Sequence, residues 1–245
     1  RTTNGGAVWT TENSGTSNNL WGVTFTDASN GTIVGQGGTI LRTTAPDFVI
    51  ANLKVYLEGP YTGTEMTTSL NLSNFIPLNS DDAYDTAVYG YTASSVASIP
   101  NSDIVDWVLV ELRSNTTTKL DERAAFLKSD GTIVDTDGTS PITFTGLIAG
   151  NYYVVIRHRN HLAIMTATAI PLSSSSTLYD FTTGNDKFYG GGAKSLEVGI
   201  WGMIGGDTYS DGFIDILDFI GPDNENFLDG YRNSDSNMDG FIDII

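Results

Sequence analysis

Apolar and polar positions between residues 47 and 205 alternate in short runs, which is typical of β-strands. The run DIVDWVLVELR (103–113) carries apolar side chains on both faces and predicts a strand that is covered on both sides. In AAFLKSDGTIVD, Asp130-Gly131 separates two apolar runs and predicts a hairpin with a type I′ turn. Sustained helical periodicity is absent from this region, so its many short strands predict a β-sandwich over residues 47–205.

The stretch PITFTGLIAGNYYVVIRHRNHLAIMTATAIPL predicts three strands, with turns at Gly146, at Gly150 and around Asn160-His161. Its central part, FTGLIAGNYYVVIRHRNH, resembles the closing hairpin of Cna-B and transthyretin-like modules. That resemblance implies an Ig/Cna-B-like sandwich. It also implies a role as a spacer, stalk or adhesive unit on a cell surface, because such modules seldom act as catalysts.

The first 46 residues contain a repeat. RTT opens the chain and returns at residue 42, so the period is 41 residues, the length of a propeller blade. TTNGGAVW (2–9) resembles a degenerate Asp-box of sialidase-type repeats, with Asn4 in place of the Asp. The run LWGVTFTDASNGTIVGQGGTILRTT is similar to repeats of photosystem II stability factor-like propellers. The resemblance implies a single propeller-type β-repeat over residues 1–46.

A single blade is an incomplete unit, because repeats bury their apolar faces on neighbours and about three are needed for stability. In the second copy Ala45-Pro46 replaces the Asn-Gly of the box, so the array ends there. The blade therefore needs a neighbour from the following domain, from upstream repeats or from another subunit. Sialidase chemistry is not expected, since the central site of a closed propeller cannot form from one blade.

The charge of the chain restricts its partners. It has 29 acidic and 12 basic residues and a net charge of −17. Nucleic acids and anionic membranes require basic patches, so both are excluded as partners, whereas divalent cations are favoured. The chain has no cysteine, and none of its apolar runs approaches the ~18 residues that span a bilayer. We expect an extracellular or cell-surface protein whose signal peptide is absent from this chain.

Side chains that could catalyse a reaction are weakly organised. The candidate pairs are His158 with His161, Asp103 with Asp106, and Asp121 with Glu122. Positions three apart on a strand point to opposite faces, which separates the first two pairs, and adjacent residues also point apart. The chain has neither a G-x-S-x-G elbow nor a phosphate-binding loop. A protein that is not an enzyme is predicted, with no catalytic residues.

One acidic phrase occurs twice, as GDTYSDGFIDILDF and as the terminal NSDSNMDGFIDII. A twelve-residue calcium loop has oxygen ligands at positions 1, 3, 5, 7 (a backbone carbonyl), 9 and 12, with glycine at position 6. The first phrase fits with Asp207, Asp211, the carbonyl of Phe213, Asp215 and Asp218, and the second with Asp235, Asn237, Asp239, the carbonyl of Phe241 and Asp243. Ca²⁺ is therefore the predicted cofactor. A merely solvated acidic tail is the alternative, but it would not require glycine at position 6 twice.

The tandem resembles a dockerin pair, whose loops also use Asp at position 12. The resemblance implies a helix after each loop, DILDFI onward after the first, and a cohesin-like partner. Three features depart from the pattern: Tyr209 at position 3 of the first loop, a start-to-start spacing of 28 residues, and a truncated second loop whose position 12 would be residue 246. We therefore expect a dockerin-like module over residues 206–245.

Two aliphatic pairs, Ile216-Leu217 and Ile244-Ile245, occupy positions that help dockerins recognise cohesins. They could form a partner interface or pack on the sandwich. Packing is the favoured interpretation, because helices this short need tertiary support.

Together these patterns predict a mainly β protein with a blade-like unit, a sandwich and a small helical calcium module. The leading hypothesis is a secreted structural or adhesive protein that assembles with copies of itself into a fibre or sheath. The alternative is the C-terminal anchoring region of a larger secreted enzyme, which docks a cohesin-like scaffold. A hydrolase acting through its carboxylates is a third hypothesis, which none of the candidate pairs supports.

Overall fold

A computed structural model describes residues 7–8, 14–26, 30–43 and 47–242, without the side chains of Gly221 and Asp223. The chain divides into two compact units, Arg1–Pro46 and Asp47–Ile245, which we call the N-terminal and C-terminal units. Both are built mainly from β-strands, which confirms the predicted fold class at that level. No helix in the described ranges is long and apolar enough to cross a membrane.

The N-terminal unit contains one antiparallel sheet in the order β1 (Leu20–Phe25), β2 (Gly31–Gly35), β3 (Ile40–Thr43). Val23 lies opposite Ile33, and Ile33 lies opposite Leu41, so these apolar side chains share one face. The predicted Asp-box lies almost entirely outside the described residues, and the propeller-type repeat stays a prediction.

Residues 47–242 of the C-terminal unit contain twelve further strands and three α-helices, besides short 3₁₀ helices. The strands are β4 (Phe48–Ala51), β5 (Leu53–Lys54), β6 (Ile104–Arg113), β7 (Lys119–Lys128), β8 (Thr132–Val134), β9 (Ile142–Thr145), β10 (Gly150–His158), β11 (His161–Met165), β12 (Ile170–Leu172), β13 (Tyr179–Asp180), β14 (Lys194–Glu197) and β15 (Ile200–Gly202). The helices are α1 (Ser69–Leu72), α2 (Thr86–Tyr89) and α3 (Leu217–Glu225).

The main sheet has the order β11-β10-β6-β7-β8-β5-β13, with β12 pairing the first residues of β10. Two smaller ladders join β4 to β9 and β14 to β15. The sheets are curled. Curled sheets alone do not establish a β-sandwich, so the predicted sandwich stays a prediction.

Strand β6 is the centre of the core. Every residue from Ile104 to Leu112 is buried, and only Arg113 at the end is partly exposed. β7 and β10 pair its two edges, and the Trp107 ring lies 3.9 Å from that of Phe126. A continuous apolar run is what a strand covered on both faces requires, so this prediction is confirmed.

The hairpin between β7 and β8 forms, but its predicted turn type is wrong. A type I′ turn needs positive φ at both central residues. Here Gly131 has φ +86°, whereas Asp130 does not adopt a positive φ. Gly131 N–H donates to the carbonyl of Lys128 at 2.9 Å. A three-residue loop that ends on a left-handed glycine therefore connects the strands.

Residues 141–172 form four strands, β9 to β12, and not the predicted three. Gly146 lies in a turn as expected, with φ +78°. Gly150 is already the first residue of β10, where it pairs with Leu172. The additional strand arises because β11 and β12 pair successive parts of the long strand β10.

Candidate metal centre in the C-terminal segment

The acidic segment 206–242 packs into the C-terminal unit. Met238 and Ile242 are each 1% exposed, and Met238 belongs to the same hydrophobic core as β6. Helix α3 begins at Leu217, position 11 of the first predicted loop, within the stretch DILDFI where the helix is expected. The alternative of a merely solvated tail is therefore wrong for the described residues.

The first loop is organised around Asp207, whose carboxylate is buried. It accepts hydrogen bonds from the N–H groups of Asp211 at 3.1 Å and Gly212 at 3.2 Å. Asp211 Oδ1 in turn accepts from Phe213 N–H at 2.9 Å. Ser210 and Gly212 both have positive φ, 58° and 87°. The chain thus wraps around the side chain at position 1.

The second loop repeats this arrangement around Asp235, which is 1% exposed. Its carboxylate accepts from the N–H groups of Asp239 at 3.2 Å and Gly240 at 2.9 Å, and Asp239 Oδ1 accepts from Phe241 N–H at 2.9 Å. Met238 and Gly240 have φ 59° and 91°. The same positions therefore bend the chain in both loops, because a glycine at position 6 tolerates the left-handed conformation.

The last predicted ligand of the first loop also turns inward. Asp218 is buried and accepts from Tyr209 N–H at 3.0 Å and from Asp215 N–H at 2.8 Å. Asp215 itself accepts from Leu217 N–H at 2.8 Å. Asn237 Oδ1 accepts from Asp239 N–H at 3.2 Å, and Asp243 lies outside the described residues.

The carboxylates of each loop do not converge on one point. Within the described ranges, no group of three or more His, Cys, Asp or Glu side chains is placed to hold a metal ion. Their oxygens are bonded to backbone N–H groups instead. Asp211, Asp215 and Asp239 are exposed, so these side chains are free to turn toward a cation without repacking the core.

The electrostatics of both loops favour a cation. Burial raises the pKa of Asp235 to about 6, and the negative charge of Asp239 adds to this effect. Burial also raises the pKa of Asp207, with contributions from the charges of Asp218 and Asp211. Both carboxylates therefore carry charge that the protein does not neutralise fully. The side-chain donors of both loops are oxygens, the type of ligand that hard ions such as Ca²⁺ prefer.

The predicted partner-binding residues are exposed where they are described. Ile216 is 74% exposed and Leu217 39%, so the favoured interpretation, packing on the sandwich, is wrong for this pair. Ile244 and Ile245 lie outside the described residues. Close by, a groove of about 250 Å³ runs between the two loops and includes Ile214, Phe219, Pro222 and Phe241 in its lining.

The prediction that His158 and His161 point to opposite faces is wrong. His158 ends β10 and His161 begins β11, so the two residues pair across a hairpin. Their Nδ1 atoms are 3.0 Å apart, and both rings are buried. Burial lowers the pKa of His158, against the opposing effect of Asp106, and lowers the pKa of His161 well below its ordinary value. Burial therefore favours the neutral form of both histidines.

This histidine pair predicts a loss of stability in mild acid. Because the folded-state pKa values lie below the ordinary value of about 6.5, the unfolded chain binds more protons below pH 6.5. The contribution of these two histidines to stability is thus complete above that pH and is lost as the pH decreases. Between pH 7 and 5.5 the loss is about 1 kcal/mol for each strongly shifted histidine. Urea unfolding should show a larger loss in the wild type than in His161→Asn; equal losses would contradict the prediction.

Asp106 has partners that the sequence did not reveal. It is fully buried, and its carboxylate lies 2.9 Å from Arg159 Nε and 3.2 Å from His158 Nε2. Tyr231 OH donates to Asp106 Oδ1 at 2.7 Å. The predicted companion Asp103 pairs with Lys128 instead. The sequence signal for such partners was the charged Asp106 itself, because it lies inside the apolar run of β6.

Glu122 likewise pairs with another strand and not with Asp121. It lies directly opposite Glu111 on β6, and both side chains are buried. Glu111 is 2.6 Å from Arg113 Nε, and Glu122 is 2.7 Å from Lys119 Nζ. The two carboxylates are therefore held by basic partners in an ion-pair network of the sheet.

Comparisons of the chain with models of protein families, with curated proteins and with solved structures found no match. The resemblances to dockerins, Asp-box repeats and Cna-B modules thus rest on the sequence motifs.

Proposed function

We propose that this chain is a non-enzymatic structural or adhesive protein of the cell exterior, which assembles with copies of itself and is stabilised by Ca²⁺ in its C-terminal loops. The observation that carries the proposal is the apolar surface of the N-terminal sheet. Trp21, Val23 and Phe25 are 71, 62 and 60% exposed, next to the half-buried Ile33 and Leu41. Large uncovered apolar surfaces mark sites of association.

The distribution of charge supports a second copy as the partner of this surface. Residues 1–46 contain two acids and two bases, a net charge of zero, whereas the whole chain carries −17. The remaining 199 residues therefore carry all the net charge, and two copies repel each other least through their N-terminal units.

Within the part of the chain that the structure describes, the partners of the candidate carboxylates favour a non-enzymatic role. Asp106 is sealed in the core and bonded to Arg159, and Glu111 and Glu122 are bound to basic side chains. Asp106 therefore has no access to a substrate, and the charges of Glu111 and Glu122 are engaged in ion pairs. In the two candidate calcium loops, Asp207 and Asp235 are buried and bind backbone N–H groups of their own loops.

Calcium is expected to stabilise the C-terminal unit. At a free concentration of 100 times Kd, each site adds about 2.7 kcal/mol, which corresponds to roughly 5–10 °C in the unfolding midpoint of a domain this size. Calorimetry in Ca²⁺ and in EDTA measures the difference. Asp207→Ala and Asp235→Ala should each remove about half of it, and Asp137→Ala, in an exposed turn outside the loops, should remove none. Identical midpoints with and without Ca²⁺ would refute calcium binding.

Self-assembly is expected to depend on the apolar surface. In Ca²⁺ at high protein concentration, electron microscopy and sedimentation should show polymers of the wild type and mainly single particles of the double variant Trp21→Ser/Phe25→Ser. The matched control is Val88→Ser/Val198→Ser, which removes two apolar side chains, 73 and 104% exposed, from the C-terminal unit. A wild type that remains monomeric would refute the assembly.

The exposure of Ile216 favours a second candidate function, the anchoring region of a larger secreted enzyme that docks a cohesin-like partner. Ile216 is adjacent to the groove between the loops, whose lining includes Phe219 and Phe241. Calcium-dependent capture of a cohesin by the wild type, lost in Ile216→Asp, would support this function in place of self-assembly.

A further inference from the structure

The turn that joins β10 to β11 lies between the two candidate calcium loops. It consists of Arg159 and Asn160, which are 1% and 0% exposed. Hairpin turns normally run over the protein surface, because their backbone polar groups need water. A turn that buries a guanidinium and an amide needs neighbouring protein groups as hydrogen-bond partners.

The backbone of the turn bonds to the first loop. Ser210, at position 4 of that loop, donates its hydroxyl to the carbonyl of Arg159 at 2.6 Å. Gly206, immediately before Asp207, donates its N–H to the carbonyl of Asn160 at 2.9 Å. Both carbonyls of the turn are thus used by residues that precede or form the first loop.

The side chains of the turn bond to the second loop. Asn160 Nδ2 donates to the carbonyl of Asp235, the position 1 residue, at 2.7 Å. Arg159 Nη1 donates to the carbonyl of Arg232, three residues earlier. The same two residues therefore hold one loop with their backbone and the other with their side chains.

The turn is also fixed to the main sheet. Arg159 Nε pairs with Asp106 of β6 at 2.9 Å, and its guanidinium lies 4.4 Å from the centre of the Tyr231 ring. Tyr231 in turn donates to Asp106. A displacement of either loop must therefore strain the turn against a buried charged pair.

We propose that Arg159 and Asn160 are positioning residues that couple the two calcium loops, so that an ion in one loop raises the affinity of the other. The inference rests on the proposed calcium binding. The first ion fixes its loop and with it the turn, and the second ion then binds to a loop whose anchor is already ordered. Coupling of this kind is reciprocal and typically changes affinity 5–150-fold.

Isothermal titration with Ca²⁺ tests the coupling. Asp235→Ala reports the first loop alone, Asp207→Ala reports the second alone, and the wild type reports both. We expect each loop to bind at least 5-fold more tightly when the other is intact. Because coupling is reciprocal, the factor must be equal from either side. A factor of one from both sides overturns the inference. Circular dichroism of both variants checks that each retains the wild-type fold.

Two variants assign the coupling to the turn. Asn160→Ala removes the bond to the second loop, and Ser210→Ala removes the bond to the first from an exposed position that leaves the core intact. Each variant should reduce the affinity ratio, measured with and without the other loop intact, to about one, while both loops still bind Ca²⁺. Asn115→Ala, in the exposed β6–β7 turn, is the matched control and should leave it unchanged. Full coupling in Ser210→Ala and Asn160→Ala would overturn the role of the turn. Absence of Ca²⁺ uptake by the wild type would instead refute the proposed function itself.

Discussion

Replacing Asp106 with asparagine is expected to destabilise the C-terminal unit by about 3–5 kcal/mol, because the substitution leaves the buried Arg159 guanidinium without its counter-charge. Both side chains are fully buried, and Nε lies 2.9 Å from the carboxylate. Burial works to raise the pKa of Asp106, but Arg159 together with the hydrogen bonds from His158 and Tyr231 outweighs it, so the net pKa is lowered. The carboxylate is therefore charged when it pairs with arginine.

Urea unfolding of the wild type and Asp106→Asn in the same buffer measures the effect. Asp103→Asn is the matched control, because Asp103 forms an ion pair of similar length with Lys128, 2.8 Å, at a position where its side chain is 41% exposed. A surface pair of this kind contributes about 1 kcal/mol or less. Equal losses of unfolding free energy in the two variants would show that the buried pair contributes no more to stability than the surface pair.

Gly59→Ala is expected to lower the free energy of unfolding by about 3 kcal/mol. The added methyl group would clash with backbone atoms, which cannot move aside as a flexible side chain could. A Cβ atom at this position would lie 1.9 Å from the carbonyl oxygen of Ser236 and 3.1 Å from the Cα of Asn237. Both contacted residues belong to the second loop. The variant should therefore displace that loop and weaken its affinity for Ca²⁺ as well.

Calorimetry and Ca²⁺ titration of Gly59→Ala check both consequences. Gly192→Ala is the control, since its Cβ would meet nothing closer than 3.9 Å and its φ of −81° suits any residue. An unfolding midpoint of Gly59→Ala equal to that of the control would mean that the loop does not pack against this backbone.

Local patterns in the sequence predicted the local structure well. The continuous apolar run of β6 indicated a strand covered on both faces, and Gly212 and Gly240 indicated where each acidic loop bends. These features depend on residues a few positions apart. Side-chain alternation and the conformational freedom of glycine are sufficient to read them.

The same rules failed where the chain reverses direction. His158 and His161 are three positions apart, and alternation along one strand would separate them, but a two-residue turn between them brings their rings together. The pairing of Glu111 with Glu122 was missed for a related reason, because the register of β6 and β7 sets it. Register depends on the complete hairpin, not on neighbouring residues.

Contacts between distant segments could not be derived from the pattern at all. Asn160 and Asp235 are 75 positions apart, and Asp106 and Tyr231 are 125 apart. Tertiary packing alone sets such distances. One sequence signal did exist, the carboxylates Asp106 and Glu111 inside the apolar run of β6, since a buried charge requires a partner somewhere in the fold.

The burial of Arg159 and Asn160 has a practical consequence for anyone who engineers this protein. Residues 206–245 do not form an independent module that can be transferred to another protein. Cleavage of the chain after Gly205 would expose the guanidinium of Arg159 and the carboxamide of Asn160 to water. The excised peptide would lose the hydrogen bonds that hold its second loop. A fusion protein that uses the two loops must therefore include strands β10 and β11 as well as residues 206–245.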